Sequence, residues 1–136
     1  IAVCIGASDA DDATAVAYWA KCEKPRGFQE DLKLQFLLKL FSHHSLQDLL
    51  AWFDYDCGLE YTALSVINDP QQCTDSLFFC TIFSRPKSDS ETEEDVMDTA
   101  ATTMKDAVGK KGTLTRFGCN YRLKDNNHVV VCLFMW

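Results

Sequence analysis

The chain has 136 residues, of which 47% are hydrophobic and 12% aromatic, with seven cysteines and a formal net charge of -7. A chain of this length forms one domain, and its aromatic content is too high for a disordered protein. The acidic balance disfavours a general nucleic-acid-binding protein, and no apolar run approaches the roughly 20 residues of a membrane-spanning helix.

The first ten residues, IAVCIGASDA, form a short apolar run that ends in small residues before Asp11. Ser8 and Ala10 occupy the minus-three and minus-one positions of a signal-peptidase site, so we interpret residues 1–10 as the remnant of a secretory signal peptide. An N-terminal strand is the alternative interpretation. Loss of the remnant would remove Cys4 and leave residues 11–136 as a single domain with an even number of cysteines.

Six cysteines in a small secreted chain predict three disulfide bonds, and the chain contains no CxxC pair of the kind that binds zinc. On one helix Cys73 and Cys80 would lie about 10 Å apart along the axis, which is beyond disulfide reach. We therefore expect them to bond to Cys22 and Cys57, in an order that stays open. If the mature chain keeps Cys4, the unpaired thiol allows an intermolecular bridge.

Capping residues, apolar residues at every fourth position and helix-ending glycines and prolines predict five helices in residues 11–86. In chain order these helices cover residues 13–23, 28–41, 46–57, 59–67 and 76–84. The third has a capping box formed by Ser45 and Asp48, and Gly58 follows it in the position of a C-cap. The fifth would be capped by Thr74 or Asp75 and stop before Pro86.

Residues 87–95, KSDSETEED, contain no apolar residue and predict an acidic linker. Ser90 and Glu93 have capping-box spacing, and a sixth helix follows with an apolar face that runs from Met97 to Val108. Gly109 ends this helix.

Beyond Gly112 the pattern is that of strands, with residues 113–122 and 128–134 on either side of a predicted four-residue loop at residues 124–127. This register places Cys119 opposite Cys132, and a disulfide between them would contribute roughly 3 kcal/mol. The apolar ending VVVCLFMW should pack on the helix that ends at Val108 or form a partner interface. The predicted fold is therefore α+β and mainly helical, a disulfide-linked bundle of about five to six helices followed by a C-terminal β-hairpin.

Three carboxylates at Asp54, Asp56 and Glu60 suggest calcium, but their spacing does not fit an EF-hand loop, and we interpret them as a solvated helix end. His43 and His44 are adjacent and cannot bind one ion from consecutive helical turns. The chain has none of the common hydrolase or phosphate-binding motifs. We predict no catalytic residue, no metal and no cofactor.

Charge is unevenly distributed, because five basic side chains but only one acidic side chain follow residue 109. A basic hairpin of this kind can contact an acidic partner protein or an anionic glycan or lipid surface. The predicted partner-binding residues are Lys110, Lys111, Arg116, Arg122 and Lys124. Arg116, Asn120 and Arg122 share one strand face, which we expect to be a polar outer face. Alternatively, the basic residues complement the protein's own acidic helices.

Aromatic residues on the predicted helices suggest a second function, the carriage of a small apolar ligand. Such a cavity would be lined by Trp19, Phe36, Trp52 and Phe53, although these residues also suit an ordinary core.

The ending FGCNY...VVVCLF resembles the terminal cysteine hairpin of the CAP family of secreted proteins over about 20 residues. The histidine and glutamate motifs of that family are absent, so the resemblance implies no site residues. In overall texture the chain resembles cysteine-rich effectors of arthropod saliva or venom. We expect a secreted, extracellular, non-enzymatic binding protein, monomeric rather than dimeric. A ligand carrier and then a secreted hydrolase are the alternatives.

Overall fold

The computed structural model describes residues 9–22, 27–42, 45–75, 78–109 and 115–135. Within these ranges the chain forms six helices and four strands. In chain order they are α1 (Asp9–Trp19), α2 (Glu30–Leu40), α3 (Leu46–Trp52), β1 (Phe53–Tyr55), α4 (Cys57–Asn68), α5 (Gln71–Asp75), β2 (Phe79–Pro86), α6 (Glu93–Gly109), β3 (Thr115–Lys124) and β4 (Asn127–Met135). The fold is α+β, as predicted, but a four-stranded sheet replaces the expected helix bundle with a separate two-stranded hairpin. Among the described helices, none has the length and apolar character to cross a membrane.

The four strands form one sheet in the order β1-β3-β4-β2. The β3–β4 hairpin has the predicted register, with Cys119 opposite Cys132, but its ladder continues to the pair of Lys124 and Asn127. The loop is thus a two-residue turn, in which Asp125 and Asn126 have φ of 51° and 64°. Asp and Asn tolerate this left-handed conformation better than other non-glycine residues, and two such residues make the turn type that matches strand twist.

Helices cover both faces of the sheet. Val130, Cys132 and Phe134 on one face of β4 belong to a buried cluster with residues of α1, α2 and α6. Val131 and Leu133 on the other face belong to a second cluster, with residues of α4. The apolar C-terminal segment is therefore a central strand buried on both sides, and on one face it shares a core cluster with the sixth helix.

The predicted helix at residues 76–84 is wrong, because residues 79–86 form β2. This strand pairs antiparallel with β4, from Phe79 opposite Phe134 to Pro86 opposite Asn127. A short apolar run fits a helix or a strand equally well by periodicity, and the β-branched and aromatic residues of TIF favour the strand. Pairing with β4 decides the outcome.

The predicted third helix is also too long. Helix α3 ends at Trp52, and Phe53–Tyr55 pairs in parallel with β3. Asp56 then caps α4, with its Oδ1 accepting a hydrogen bond from Leu59 N at 3.0 Å. Gly58 consequently lies in the first turn of α4 and is not a C-cap.

The three disulfides are Cys22–Cys57, Cys73–Cys80 and Cys119–Cys132. The hairpin bridge is confirmed, but the predicted bonding of Cys73 and Cys80 to Cys22 and Cys57 is wrong. That prediction assumed one helix through both cysteines. The chain instead leaves α5 and returns as β2, which brings the Cα atoms of Cys73 and Cys80 to 5.4 Å.

Helix α6 begins with a capping box two residues later than predicted. Thr92 N donates to Asp95 Oδ2 at 3.0 Å, and Asp95 N donates to Thr92 Oγ1 at 3.1 Å. Helix α6 therefore begins at Glu93, and the acidic segment predicted as a linker supplies its first turn.

Helix α4 lies directly against β3 at Gly118. A Cβ atom at this position would lie 2.6 Å from the Asp56 carbonyl oxygen and 2.8 Å from the Leu59 carbonyl carbon. Both are backbone atoms, so no side-chain rotation can make room. Gly118 is required here for close approach.

We expect Gly118→Ala to lower the free energy of unfolding by about 2–3 kcal/mol, because α4 must shift from the sheet. Chemical denaturation followed by circular dichroism measures the change. Gly58→Ala is the matched control, since its added Cβ meets only the Asp56 carboxylate oxygen, at 2.9 Å. Equal losses in the two variants would show that the close approach at Gly118 is not the cause.

Candidate functional site

A buried ion pair lies between α2 and α4. Lys33 Nζ is 2.9 Å from Glu60 Oε1, with side chains 5% and 0% exposed. Lys33 also donates to the Ala20 carbonyl oxygen at 2.7 Å, and its Nζ lies 5.1 Å from the centre of the Tyr55 ring. These contacts join α2, β1, α4 and the residue that follows α1 at one point of the interior.

Tyr55 completes this buried cluster. Its hydroxyl donates to Glu60 Oε1 and lies 3.3 Å from the Cys119 carbonyl oxygen. Burial, followed by the neighbouring Glu60 carboxylate, raises the pKa of Tyr55 well above its ordinary value. The phenol therefore stays protonated and acts as a donor. Glu60 Oε2 is buried and has no hydrogen-bond partner among the described residues.

Asn120 connects this cluster to the hairpin. Its Nδ2 donates to the Glu60 carbonyl oxygen at 3.0 Å, and its Oδ1 accepts from Arg122 Nη1 at 2.8 Å. Asn120 is fully buried because α4 covers this face of β3. The expected polar outer face is therefore wrong at its central residue. The predicted solvated helix end is wrong for Glu60, which is fully buried, whereas Asp54 is exposed.

A second polar cluster lies between β3, β4 and the start of α6. The Tyr121 hydroxyl lies 2.7 Å from His128 Nδ1 and donates to Glu93 Oε2 at 3.0 Å. His128 is buried, and its Nε2 has no hydrogen-bond partner among the described residues. Burial, followed by the bond to Glu93, raises the pKa of Tyr121.

The raised pKa values of Tyr55 and Tyr121 predict that the protein loses stability at alkaline pH. Both phenols have folded-state pKa values above the ordinary 10.0, so the unfolded chain loses these protons first as pH rises. We expect the free energy of unfolding to be constant with respect to these groups below about pH 9 and to fall above pH 10. Urea denaturation from pH 8 to 11 measures the slope, which should be shallower in Tyr121→Phe. An unchanged slope in that variant would contradict a raised pKa.

Open grooves, in contrast, surround α2. One of about 450 Å³ lies between α2 and α6, and one of about 370 Å³ lies between α1 and α2. A third, of about 420 Å³, lies beside the starts of α2 and α6 and residues 121–123 of β3. Lys33 lines the groove between α1 and α2, and Tyr121 lines the groove beside β3. Within the described ranges, no group of histidine, cysteine, aspartate or glutamate side chains is arranged to hold a metal ion.

Residues 21–134 match the sequence model of the family described as Ancylostoma-associated secreted protein related. The chain belongs to this family. The protein is accordingly secreted and extracellular, a disulfide-bonded and cysteine-rich effector of the parasite type. The family supports the class of secreted, cysteine-rich effector that the resemblance to salivary and venom effectors implied.

Two solved structures are similar to the chain. One is described as the crystal structure of hookworm platelet inhibitor, with TM-score 0.54 and 12% identity over 85% of this chain and 74% of that one. The other is described as manganese-bound Ac-ASP-7, with TM-score 0.47 and 20% identity over 83% of this chain and 69% of that one. The similarity to hookworm platelet inhibitor shows only that the two chains share a fold. No curated protein sequence matches this member of the family.

Within this secreted protein, the predicted basic residues are mostly engaged by the chain itself. Arg122 donates to Asn120 and to the carbonyl oxygens of Tyr121 and Gly27. Lys124 Nζ donates to the Ile67 and Asn68 carbonyl oxygens at the end of α4, where a cation stabilises a helix. Arg116 lies 3.6 Å from Asp56, with 51% of its side chain exposed. Lys110 and Lys111 lie outside the described residues, as do His43 and His44.

Of the predicted cavity residues, Trp19 and Phe53 share an aromatic cluster. The Phe117 ring centre lies 5.7 Å from that of Trp19 and 6.0 Å from that of Phe53. Phe36 is fully buried and packs against Phe28. The structure does not describe the side chain of Trp52. None of the other three lines the described grooves, so the structure brings them together as core.

The buried pair was not predicted, although both residues carry a signal. Lys33 falls on the same helical face as Leu37 and Leu40, and Glu60 falls on that of Ala63 and Ile67. A single charge on an apolar helical face indicates a buried charge, which needs a partner of opposite sign.

Proposed function

We propose that the protein is a secreted effector that acts by binding a partner protein and does not catalyse a reaction. The arrangement of the grooves carries this proposal. Three open grooves lie side by side around α2, whereas the Lys33–Glu60 and Tyr121–His128 clusters are buried and join secondary-structure elements. The Cys22–Cys57 disulfide ties the segment after α1, which lines one of the grooves, to α4. A surface that is restrained before binding has a lower entropic cost of association.

The experiment is surface plasmon resonance with the immobilised protein and a panel of purified extracellular proteins. Because the chain shares its fold with a protein described as a platelet inhibitor, the panel should include platelet surface receptors. We expect saturable binding by one panel member, and both proteins should keep their intact masses after incubation. Cleavage or chemical modification of the partner would overturn the non-enzymatic assignment.

An anionic surface bound by the basic hairpin is the second form of this proposal, supported by the exposure of Arg116. Heparin and phosphatidylserine vesicles are its probes, and Arg116→Glu is its variant. Arg122→Glu is unsuitable as a surface variant, because it removes bonds to Asn120 and Gly27 that hold the structure together. Binding that survives Arg116→Glu would exclude Arg116 from the contact.

The carrier alternative is tested on the same preparation by native mass spectrometry after secretion from eukaryotic cells. A retained small apolar molecule would favour the carrier over the partner-binding effector. Alkylation with and without reduction reports the state of the thiols in the same experiment. We expect the six bridged cysteines to react only after reduction.

A further inference from the structure

Asp31 is the common residue of the three grooves around α2. It lines the groove between α1 and α2, the groove between α2 and α6, and the groove beside β3. Leu34 lines the first two of these. The three grooves therefore adjoin one another around Asp31, and we call the region that they form on α2 the Asp31 surface.

Apolar side chains lie in each part of the Asp31 surface. Tyr18, in the groove with α1, is 82% exposed, and Leu123, in the groove beside β3, is 47% exposed. Leu38, in the groove with α6, is half-buried. Tyr18 and Leu123 are two of the four large hydrophobic residues that are exposed in the described part of the chain. Exposed tyrosines beside a groove are common anchors in protein interfaces.

The charge of the Asp31 surface is mainly negative. Its acidic residues are Glu30, Asp31, Glu93, Glu94 and Asp98. None of them forms an ion pair among the described residues, although Glu93 and Asp98 accept hydrogen bonds from Tyr121 and Gln35. Of the four basic residues that line the grooves, Lys33 is paired with Glu60, and Arg122 is bonded to Asn120 and to backbone carbonyls.

Arg122 keeps its positive charge, because the groups that it is bonded to are neutral. Five acidic residues against Lys21, Lys39 and Arg122 leave the surface net negative. Lys21 follows α1 and Lys39 lies in the last turn of α2, whereas Asp31, Glu93 and Glu94 lie in the first turns of their helices. The two helix N-termini provide only about half a positive charge each. Two such dipoles cannot neutralise five carboxylates, so local helix stabilisation does not account for all of this charge.

We propose that the Asp31 surface binds a basic segment of the partner protein, in which Lys or Arg side chains flank an apolar residue. The basic side chains would pair with the unpartnered carboxylates, and the apolar residue would pack beside Tyr18, Leu34 or Leu38. This inference rests on the proposed function, that the protein acts by binding a partner. It assigns the contact to a net acidic surface, which the hairpin residue Arg122 borders on one side.

The test uses a random peptide library displayed on phage and selected on the intact, disulfide-bonded protein. Selected peptides are synthesised with a fluorescent label and measured by fluorescence polarisation. We expect sequences enriched in Lys and Arg next to an apolar residue, and affinity that falls at least tenfold in Asp31→Asn/Glu94→Gln. The association rate should also fall as salt rises, because exposed charges are screened beyond about 8 Å at physiological ionic strength.

Asp54→Asn/Asp69→Asn is the matched control, since it removes the same charge from exposed residues that line none of the three grooves. Binding in this control should stay within twofold of the original affinity. Amide chemical shifts changed by the peptide should lie around residues 18, 30–38 and 93–98.

Three results would overturn the assignment of the Asp31 surface: peptides without basic residues, equal losses in the two double variants, or failure to select any peptide. A partner found in the resonance panel that binds Asp31→Asn/Glu94→Gln at full affinity would overturn it too, while leaving the proposed function intact. Peptide binding with no protein partner in any panel would instead count against the proposed function alone.

Discussion

Replacing Lys33 by methionine is expected to lower the free energy of unfolding by about 3–5 kcal/mol, the largest effect of any single substitution considered. The variant leaves the Glu60 carboxylate buried without its cation, and one of its oxygens already has no partner among the described residues. It also leaves the Ala20 carbonyl oxygen without its donor. Urea denaturation at pH 7 measures the loss.

The double variant Lys33→Met/Glu60→Gln separates the cost of an unpaired charge from the cost of lost packing. Glutamine keeps an acceptor for the Tyr55 hydroxyl, and methionine keeps most of the lysine volume. We expect the double variant to recover at least half of the stability lost by Lys33→Met, because no buried charge remains. If the loss in the double variant equalled the sum of the losses in Lys33→Met and Glu60→Gln, the two residues would not interact.

Removal of the Cys22–Cys57 bridge by substitution of both cysteines with serine is expected to cost about 4 kcal/mol in the chain-entropy description. This bridge spans 35 residues, and it connects the segment after α1 to the first turn of α4. That turn leads directly to Glu60, so the bridge also holds the buried cluster in place. Thermal unfolding of the non-reduced protein provides the measurement.

The Cys73–Cys80 bridge is the internal comparison, because it spans only seven residues. The same relation gives a loss of about 2.5 kcal/mol for its removal. The bridge closes only the local connection between α5 and β2, so its loss should leave the α2 grooves intact. A larger loss here than for Cys22–Cys57 would show that local strand pairing, and not loop closure, determines the contribution of the disulfides.

The hairpin, its disulfide and the grooves around α2 differ in how far the local sequence determines them. The hairpin register followed from the positions of its strands and turn, because pairing of adjacent segments requires little information beyond alternation and turn residues. The Cys119–Cys132 bridge followed from that register. The grooves around α2 had no sequence signature, since a concave surface is formed by residues of several elements that are distant in the chain.

The Lys33–Glu60 pair stands between these cases. Each residue interrupts an apolar helical face, so the sequence indicates that two charges are buried, but not that they are partners. Their meeting depends on where α2 and α4 lie relative to the sheet, and the position of α4 depends on its close contact with Gly118. The pair was not predicted because Glu60 was interpreted as part of a solvated helix end.

By itself, the sequence of this protein determined the helical character of α2 and α6, the hairpin register, one disulfide and the secreted class, because each depends on local pattern or composition. Tertiary structure alone decided that residues 79–86 form a strand, that β1 separates α3 from α4, and that Cys73 bonds Cys80. In each case a short apolar segment had two conformations of similar local preference. Backbone hydrogen bonds to a distant strand, β4 for β2 and β3 for β1, stabilised one of them.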